Sequence, residues 1–224
     1  MPGSGLPAQT GPVFFWGPYD QPYGVLDQWY PATMTAPLLV LAPAATATAT
    51  AAEAHRHQEG ERRVYTFNTS EQYMMAHKAY LFNPVDSGGG GGTHEQQQQQ
   101  QRVNILDMIL NEPDPFLQKM LGRKVPNFDE QLWEVHRYAI VKSGNYLKFT
   151  QNEALKKILL QTGDRELVEA SPVDRIWGIG FSAEKAMENR HRWGLNLLGK
   201  VLMEVRGIIR REDEAAEKGV GVSE

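Results

Sequence analysis

The chain has 224 residues, 41% hydrophobic and 22% charged, with 23 Lys and Arg against 27 Asp and Glu. That length predicts one domain with appended segments, and a net charge of −4 speaks against an extended nucleic-acid interface. The absence of cysteine excludes disulfides, thiolate nucleophiles and every Cys-based zinc site.

In chain order, residues 1–12 read as a flexible start. Residues 13–39 are dense in aromatic rings, which are expensive to leave in water. Their Gly17-Pro18, Gln21-Pro22 and Tyr30-Pro31 steps oppose helix, so a strand-and-turn segment of the main core is expected. Every basic residue lies from Arg56 onward. Residues 43–62 pass from an Ala/Thr repeat to a polar stretch without an amphipathic face. Residues 84–101 join Gly88–Gly92 to Gln96–Gln101, a composition that cannot build a packed core. Both read as disordered insertions in surface loops, where extra length adds little closure entropy.

Helix is predicted from Ser70 to about Phe82, then at 103–110 and 114–121, the latter closed by Gly122. A longer helix follows from Phe128 to about Thr150, with an apolar line of Phe128, Leu132, Val135, Ala139, Tyr146 and Phe149. Another runs from Glu153 to Gln161 and ends at Thr162-Gly163-Asp164. Leu167–Ala170 suits a short strand. A last helix begins near Gly194 and carries Leu195, Leu198, Leu202, Val205 and Ile209, followed by a flexible acidic tail over 212–224. The expected class is α+β: one helix-rich domain over 13–211 with a small sheet. With neither a signal sequence nor a membrane-spanning run, a cytoplasmic location and no membrane partner are expected.

Three groups of residues can carry chemistry. Glu71 and Lys78 are two helical turns apart and project from one face beside Met74 and Met75. Their spacing is the usual one of a helix opening capped by Ser70 with a solvated lysine, and the flanking Met74 and Met75 leave room for a desolvated catalytic pair. Asp174-Arg175-Ile176-Trp177-Gly178-Ile179-Gly180 places a carboxylate, an indole and two glycines on one short loop. This suits a tight turn around a core tryptophan, or a site where backbone and ring approach a planar ligand. Gly194-Leu195-Asn196 opens the last helix, where Asn196 either caps the helix or helps to hold an anion. The histidines show no metal-ligand spacing, and neither a phosphate-binding loop nor a nucleophile elbow is present. No metal or cofactor is expected.

Taken in order, these pieces resemble the YbiA-like, or NADAR, domain family. The resemblance rests on Phe15-Trp16, Tyr23-Gly24-Val25-Leu26, Trp29-Tyr30-Pro31, Thr69-Ser70-Glu71-Gln72-Tyr73 and Lys78-Ala79. It continues through Leu121-Gly122-Arg123, Trp133, Lys148-Phe149-x-Gln151-Asn152 and Thr162-Gly163-Asp164. Leu167–Ser171, Asp174-x-x-Trp177-Gly178-x-Gly180 and Gly194-x-Asn196-x-Leu198-Gly199 complete it. The main departure is Val25-Leu26-Asp27-Gln28, where relatives commonly read Phe-Leu-Ser-Asn. The resemblance implies an α+β fold and an N-glycosidase that cleaves a ribosyl 5-phosphate from a nitrogen base, as in amino-pyrimidine intermediates of riboflavin biosynthesis. It also implies two alternatives: removal of ADP-ribose from guanine, and a non-catalytic module that binds NAD or ADP-ribose. Glu71, Lys78 and Asp174 are the implied catalytic residues. Trp29, Tyr73, Trp177, Gly178, Gly180 and Asn196 are the implied substrate-binding ones, and a small ribosyl phosphate or ADP-ribose compound is the implied partner. Either a carboxylate assists hydrolysis or Lys78 attacks C1 of the sugar and passes through a Schiff base.

Overall fold

The structure, a computed structural model, describes residues 10–38, 63–82 and 105–220. The expected insertions at 43–62 and 84–101 lie outside the described residues. The chain divides into two compact units, one of residues 31–151 and one assembled from residues 1–30 and 152–224.

In the continuous unit, β2 (Met34–Pro37) pairs antiparallel with β3 (Val64–Phe67), Met34 opposite Phe67. Four helices follow: α1 (Ser70–Phe82), α2 (Ile105–Asn111), α3 (Pro115–Gly122) and α4 (Glu130–Thr150). Helix α1 is the centre of this unit and packs against α2, α3, α4 and β3. Local chemistry sets the helix starts. Asp114 Oδ1 accepts the amides of Phe116 and Leu117, with Pro115 pre-set for the first turn, and Asp129 Oδ1 accepts the amide of Leu132. The predicted stripe of α4 needs correction. Phe128 precedes the helix and is 43% exposed, and Val135 and Ala139 face solvent. The buried face is Trp133, Ile140, Val141, Gly144, Asn145, Lys148 and Phe149. Small and polar positions on that face hid it from a reading based on large apolar residues.

In the other unit, β1 (Val13–Phe15) pairs in parallel with β4 (Leu167–Glu169). A short 3-10 turn covers Tyr23–Leu26. Helix α5 spans Glu153–Gln161, α6 spans Ala183–Ala186, and α7 spans Leu197–Val220. The class is therefore α+β and helix-rich, as expected, with its few strands in two two-stranded pairs. The aromatic N-terminal segment is only partly core. Val13, Phe15, Val25 and Leu26 are buried, whereas Trp16 and Tyr19 are exposed.

The last helix differs from expectation at both ends. It starts at Leu197 because Asn196 adopts a positive φ of 49°, which interrupts helical geometry, and Leu195 is exposed. It continues to Val220 rather than giving way to a tail at 212. Glu214, Ala215, Ala216, Glu217 and Lys218 are good helix formers, and Lys156 Nζ pairs with Asp213 Oδ1 at 2.5 Å. No helix among the described residues is long and apolar enough to cross a membrane.

Candidate active site

The start of α1 is held by a buried polar network. Thr69 Oγ1 accepts the amide of Gln72 at 3.0 Å, so Thr69, not Ser70, does the capping. Gln72 Nε2 lies 2.9–3.1 Å from the carbonyls of Ile109, Leu110 and Glu112. It thereby adds a donor to carbonyls at and after the end of α2, where Ile109 O also accepts the amide of Glu112. Thr69 donates to Gln118 Oε1 at 2.8 Å, and Gln118 Nε2 donates to Asn68 Oδ1 and Glu112 O. At the far end of α4, Gln151 pairs its side-chain amide with both backbone groups of Thr35 in β2, at 2.8 and 2.9 Å. These contacts fix the backbone on which Glu71 and Lys78 stand.

Glu71 is only 3% exposed. Lys78, two turns on, is half-buried, and its Nζ lies 4.1 Å from the ring centroid of Phe128 and 5.6 Å from that of Trp133. Burial holds the Lys78 ammonium below the ordinary lysine range. The charge of Glu71 opposes that shift, and the Arg123 guanidinium adds to it. Glu71, Lys78 and Arg123 therefore share one electrostatic environment. Arg123 reaches it because Gly122 lets α3 close on α1: a Cβ at Gly122 would overlap Met75 Sδ. Phe128 is steadied by an edge-to-face contact with Phe82, centroids 5.2 Å apart.

Arg123, Phe128 and Trp133 were not among the residues expected to form a site. Arg123 and Trp133 stood within the motifs that carry the family resemblance, and that was their only signal. The placement of an exposed phenyl ring over a lysine left no sequence trace.

Tyr73, expected to bind substrate, is held within the core. It is 1% exposed, packed between Phe67 (centroids 5.1 Å) and His77 (3.9 Å), and a Cβ at Gly144 would press on its ring at 2.7 Å. Its burial raises its hydroxyl above the ordinary tyrosine range. The ring is a packing element with no face open to a ligand. His77 donates from Nδ1 to the Tyr73 carbonyl at 2.8 Å, and burial depresses its pKa to about 4.

The remaining expected residues lie in the other unit, where most of their polar groups are already used. Asp174 Oδ1 accepts the amides of Ile176 (2.7 Å) and Trp177 (2.8 Å), closing its own loop. Asn196 is 5% exposed and its side chain is used by backbone groups. Its Oδ1 accepts from the Glu169 amide at 3.0 Å and its Nδ2 donates to the Leu167 carbonyl at 2.9 Å. The amides of Gly194, Leu195, Asn196, Leu197 and Leu198 donate to the carbonyls of Ile179, Arg175, Gly178, Ile176 and Trp177. The amides expected to hold an anion at the start of α7 are thus occupied by backbone. Gly178 and Gly199 serve close packing: a Cβ at Gly178 would come within 2.9 Å of the Glu169 carbonyl, and one at Gly199 would overlap the Leu167 carbonyl. Gly180 takes a positive φ of 77°. Trp177 and Trp29 are half-buried. The Trp29 amide donates to Asp27 Oδ1 at 2.7 Å, so Asp27, within the stretch that departs from relatives, closes a turn. Among the described residues no group of three or more His, Asp or Glu could hold a metal ion.

Residues 14–210 match the NADAR domain, a span that runs through both units. N-glycosidase R617 of Acanthamoeba polyphaga mimivirus is 44% identical over 140 residues, 62% of this chain and 72% of that protein. N-glycosidase Npun_R5314 of Nostoc punctiforme is 42% identical over 106 residues, 47% of this chain and 62% of that protein. Riboflavin biosynthesis protein PYRR of Arabidopsis thaliana is 36% identical over 84 residues, 38% of this chain and 12% of that protein. The chain thus spans less than two thirds of the cyanobacterial and plant relatives. The NMR structure of the E. coli protein YbiA superposes with a TM-score of 0.57 at 20% identity, over 92% of this chain and 88% of that one, a likeness of fold.

Proposed function

Since this chain belongs to the NADAR domain family, we propose that it is an N-glycosidase that cleaves the bond between a ribosyl 5-phosphate and a nitrogen base or amine. The substrate class we assign is the amino-pyrimidine ribose phosphate. The N-glycosidase relatives of mimivirus and Nostoc support the reaction type, and the riboflavin-biosynthesis relative supports the substrate class. The observation that carries the assignment to residues is the half-buried Lys78, its proton affinity lowered by burial, in the field of the buried Glu71.

Because burial lowers its proton affinity, Lys78 supplies more of the nucleophilic free amine at a given pH than an ordinary lysine does. Its lone pair bonds to C1 as the C1–N bond breaks, and that bonding pair leaves with the base. Glu71 relays the proton that the departing base takes up. The sugar ring then opens to a Schiff base, water adds to C1, and the aldehyde sugar and free lysine are regenerated. We assign the carboxylate of the reaction to Glu71, a choice supported by Asp174 Oδ1 already accepting two amides of its own loop.

The test is a screen for free-base release from nucleoside phosphates, with ADP-ribosylated guanine as a second arm. Release from an amino-pyrimidine ribose phosphate, lost in Lys78→Ala and Glu71→Gln, is the expected result. Near-normal release in both variants overturns the site. Borohydride trapping of a sugar adduct on Lys78 separates the Schiff-base route from carboxylate-assisted hydrolysis by water, and turnover confined to ADP-ribosylated guanine reassigns the substrate.

A further inference from the structure

Lys148 is wholly buried on α4 and takes no part in the reaction proposed at Lys78. Its Nζ lies 5.5 Å from the ring centroid of Phe149, which covers the ammonium without neutralising it. Volume alone would be met as well by Met or Leu, without the cost of desolvating a charge. A buried ammonium calls for a buried carboxylate. Among the described residues of the 31–151 unit, Glu71 is the one buried carboxylate and Lys148 the one buried lysine. Contacts along α1 and α4 fix how the two stand. Around the start of α4, Phe128 and Trp133 lie against Lys78, and Phe128 against Phe82, near the end of α1. Farther along α4, Gly144 faces the ring of Tyr73. After the end of α4, Gln151 is bonded to Thr35, which pairs with Thr66 in the strand just before α1. The two helices therefore run antiparallel, so one turn beyond Gly144 corresponds to one turn before Tyr73. Lys148 takes that position, level with the first turn of α1. Long side chains on a helix lean back toward its N-terminus, so that of Lys148 passes the level of Glu71.

We propose that Lys148 is the buried ion-pair partner of Glu71 and a positioning residue for the reaction, holding that carboxylate in one orientation as it relays the proton. A carboxylate has two oxygens that accept, so the ammonium fixes one and leaves the other to the departing base. Lys148 touches neither sugar nor base and acts through Glu71. The two lysines thus divide the work: Lys78 is half-buried and attacks, whereas Lys148 is enclosed and holds. The role in turnover rests on the N-glycosidase reading; the pairing, drawn from burial and helix register, does not.

The experiment compares the full chain in wild type, Glu71→Gln, Lys148→Met, Lys148→Arg and the double variant Glu71→Gln with Lys148→Met, by urea unfolding and by free-base release. Lys148→Met leaves a buried carboxylate unpaired, so its urea midpoint should fall. The double variant carries neither charge and should unfold at a higher midpoint than Lys148→Met. A double variant no more stable than Lys148→Met overturns the pairing, and this readout needs no substrate. In turnover, Lys148→Met should lower kcat roughly 10–100-fold, the scale of a lost charge-assisted hydrogen bond, with KM within a few-fold. Lys148→Arg should keep part of the rate. The double variant should release base no more slowly than Glu71→Gln, because Lys148 acts through Glu71. An unchanged kcat in Lys148→Met, a further loss of about tenfold in the double variant, or a borohydride-trapped sugar on Lys148 overturns the positioning role. If no protein releases base while the double variant still regains stability, the glycosidase reading fails and the pair stands. If base release depends on Glu71 while the double variant regains nothing, the pair fails and the glycosidase reading stands.

Discussion

The segments Thr69–Lys78 and Asp174–Gly199 both present charged, aromatic and amide side chains in tight spacing, yet they use them in opposite ways. In the second, the Asp174 carboxylate, the Asn196 amide and the first amides of α7 are committed to neighbouring backbone. In the first, the polar network of Thr69, Gln72 and Gln118 holds the backbone, while Lys78 is left half-desolvated between aromatic rings and opposing charges. The difference is one of energetics. A side chain that completes buried backbone hydrogen bonds is needed by the fold, because its removal orphans its partners. A cation with a depressed proton affinity opposes the fold, which is the reason the proposed reaction is placed at Lys78.

The contrast can be broken most directly at Lys78. Lys78→Ala should reduce base release by roughly 10²–10⁴-fold with little change in melting temperature; a small kinetic effect would remove the reason for separating the two segments. Gly199→Ala and Asn196→Ala should act in the opposite sense. The first forces an overlap with the Leu167 carbonyl. The second orphans the Glu169 amide and the Leu167 carbonyl, a loss of about 2–4 kcal/mol measurable by urea unfolding. Asn196→Ala retaining full stability but losing substrate affinity would return Asn196 to the site.

His77 sharpens the comparison from within the first segment, because its buried neutral ring serves packing. Its folded pKa of about 4 lies below the unfolded value of about 6.5. Between those values the unfolded chain binds the extra proton, so stability is full above pH ~6.5 and declines as pH falls toward 4. The loss is up to about 3 kcal/mol, and His77→Phe should flatten it in denaturant unfolding at pH 4.5 and 7. A smaller effect is expected at Lys78 itself. Removing the repelling guanidinium in Arg123→Gln should raise the lysine's proton affinity, moving its amine titration, read by NMR, to higher pH. The smallest is Asp174→Ala, expected to cost about 1 kcal/mol as the loss of a cap on its own loop, with base release per folded molecule unchanged.

Much of the fold was legible. The spans of α1 and α5, the end of α3 and the short strand at Leu167 follow from local signals: the helical spacing from Ser70, Gly122 after one helical run and Thr162-Gly163-Asp164 after another. The failures are equally physical. The buried face of α4 includes Gly144, Asn145 and Lys148, so a search for large apolar residues chose a line that shares only Phe149 with it. The positive φ of Asn196 moved the start of α7, and the helix-forming residues after 211 carried it on to Val220. At the site, the spacing of Glu71 and Lys78 placed both on one helix face without telling a solvated pair from a desolvated one. Asp174 and Asn196 looked equally suited to ligand and to turn.

What the sequence by itself determined is the set of local choices: no thiol chemistry, α1 with its two charges seven residues apart, and an ordered series of motifs carrying the family resemblance. These depend on covalent composition and on interactions within a turn or two, which the order of residues specifies. Only the tertiary structure decided which polar groups were already satisfied. The proton affinity of Lys78 depends on its burial, on Glu71 and on Arg123, the last of which comes from more than forty positions away. The Asn196 amide is occupied because β4 passes beside it. Desolvation and hydrogen-bond satisfaction are properties of what surrounds a group in space, and the packing of α1, α3 and α4 supplies that surrounding for Lys78.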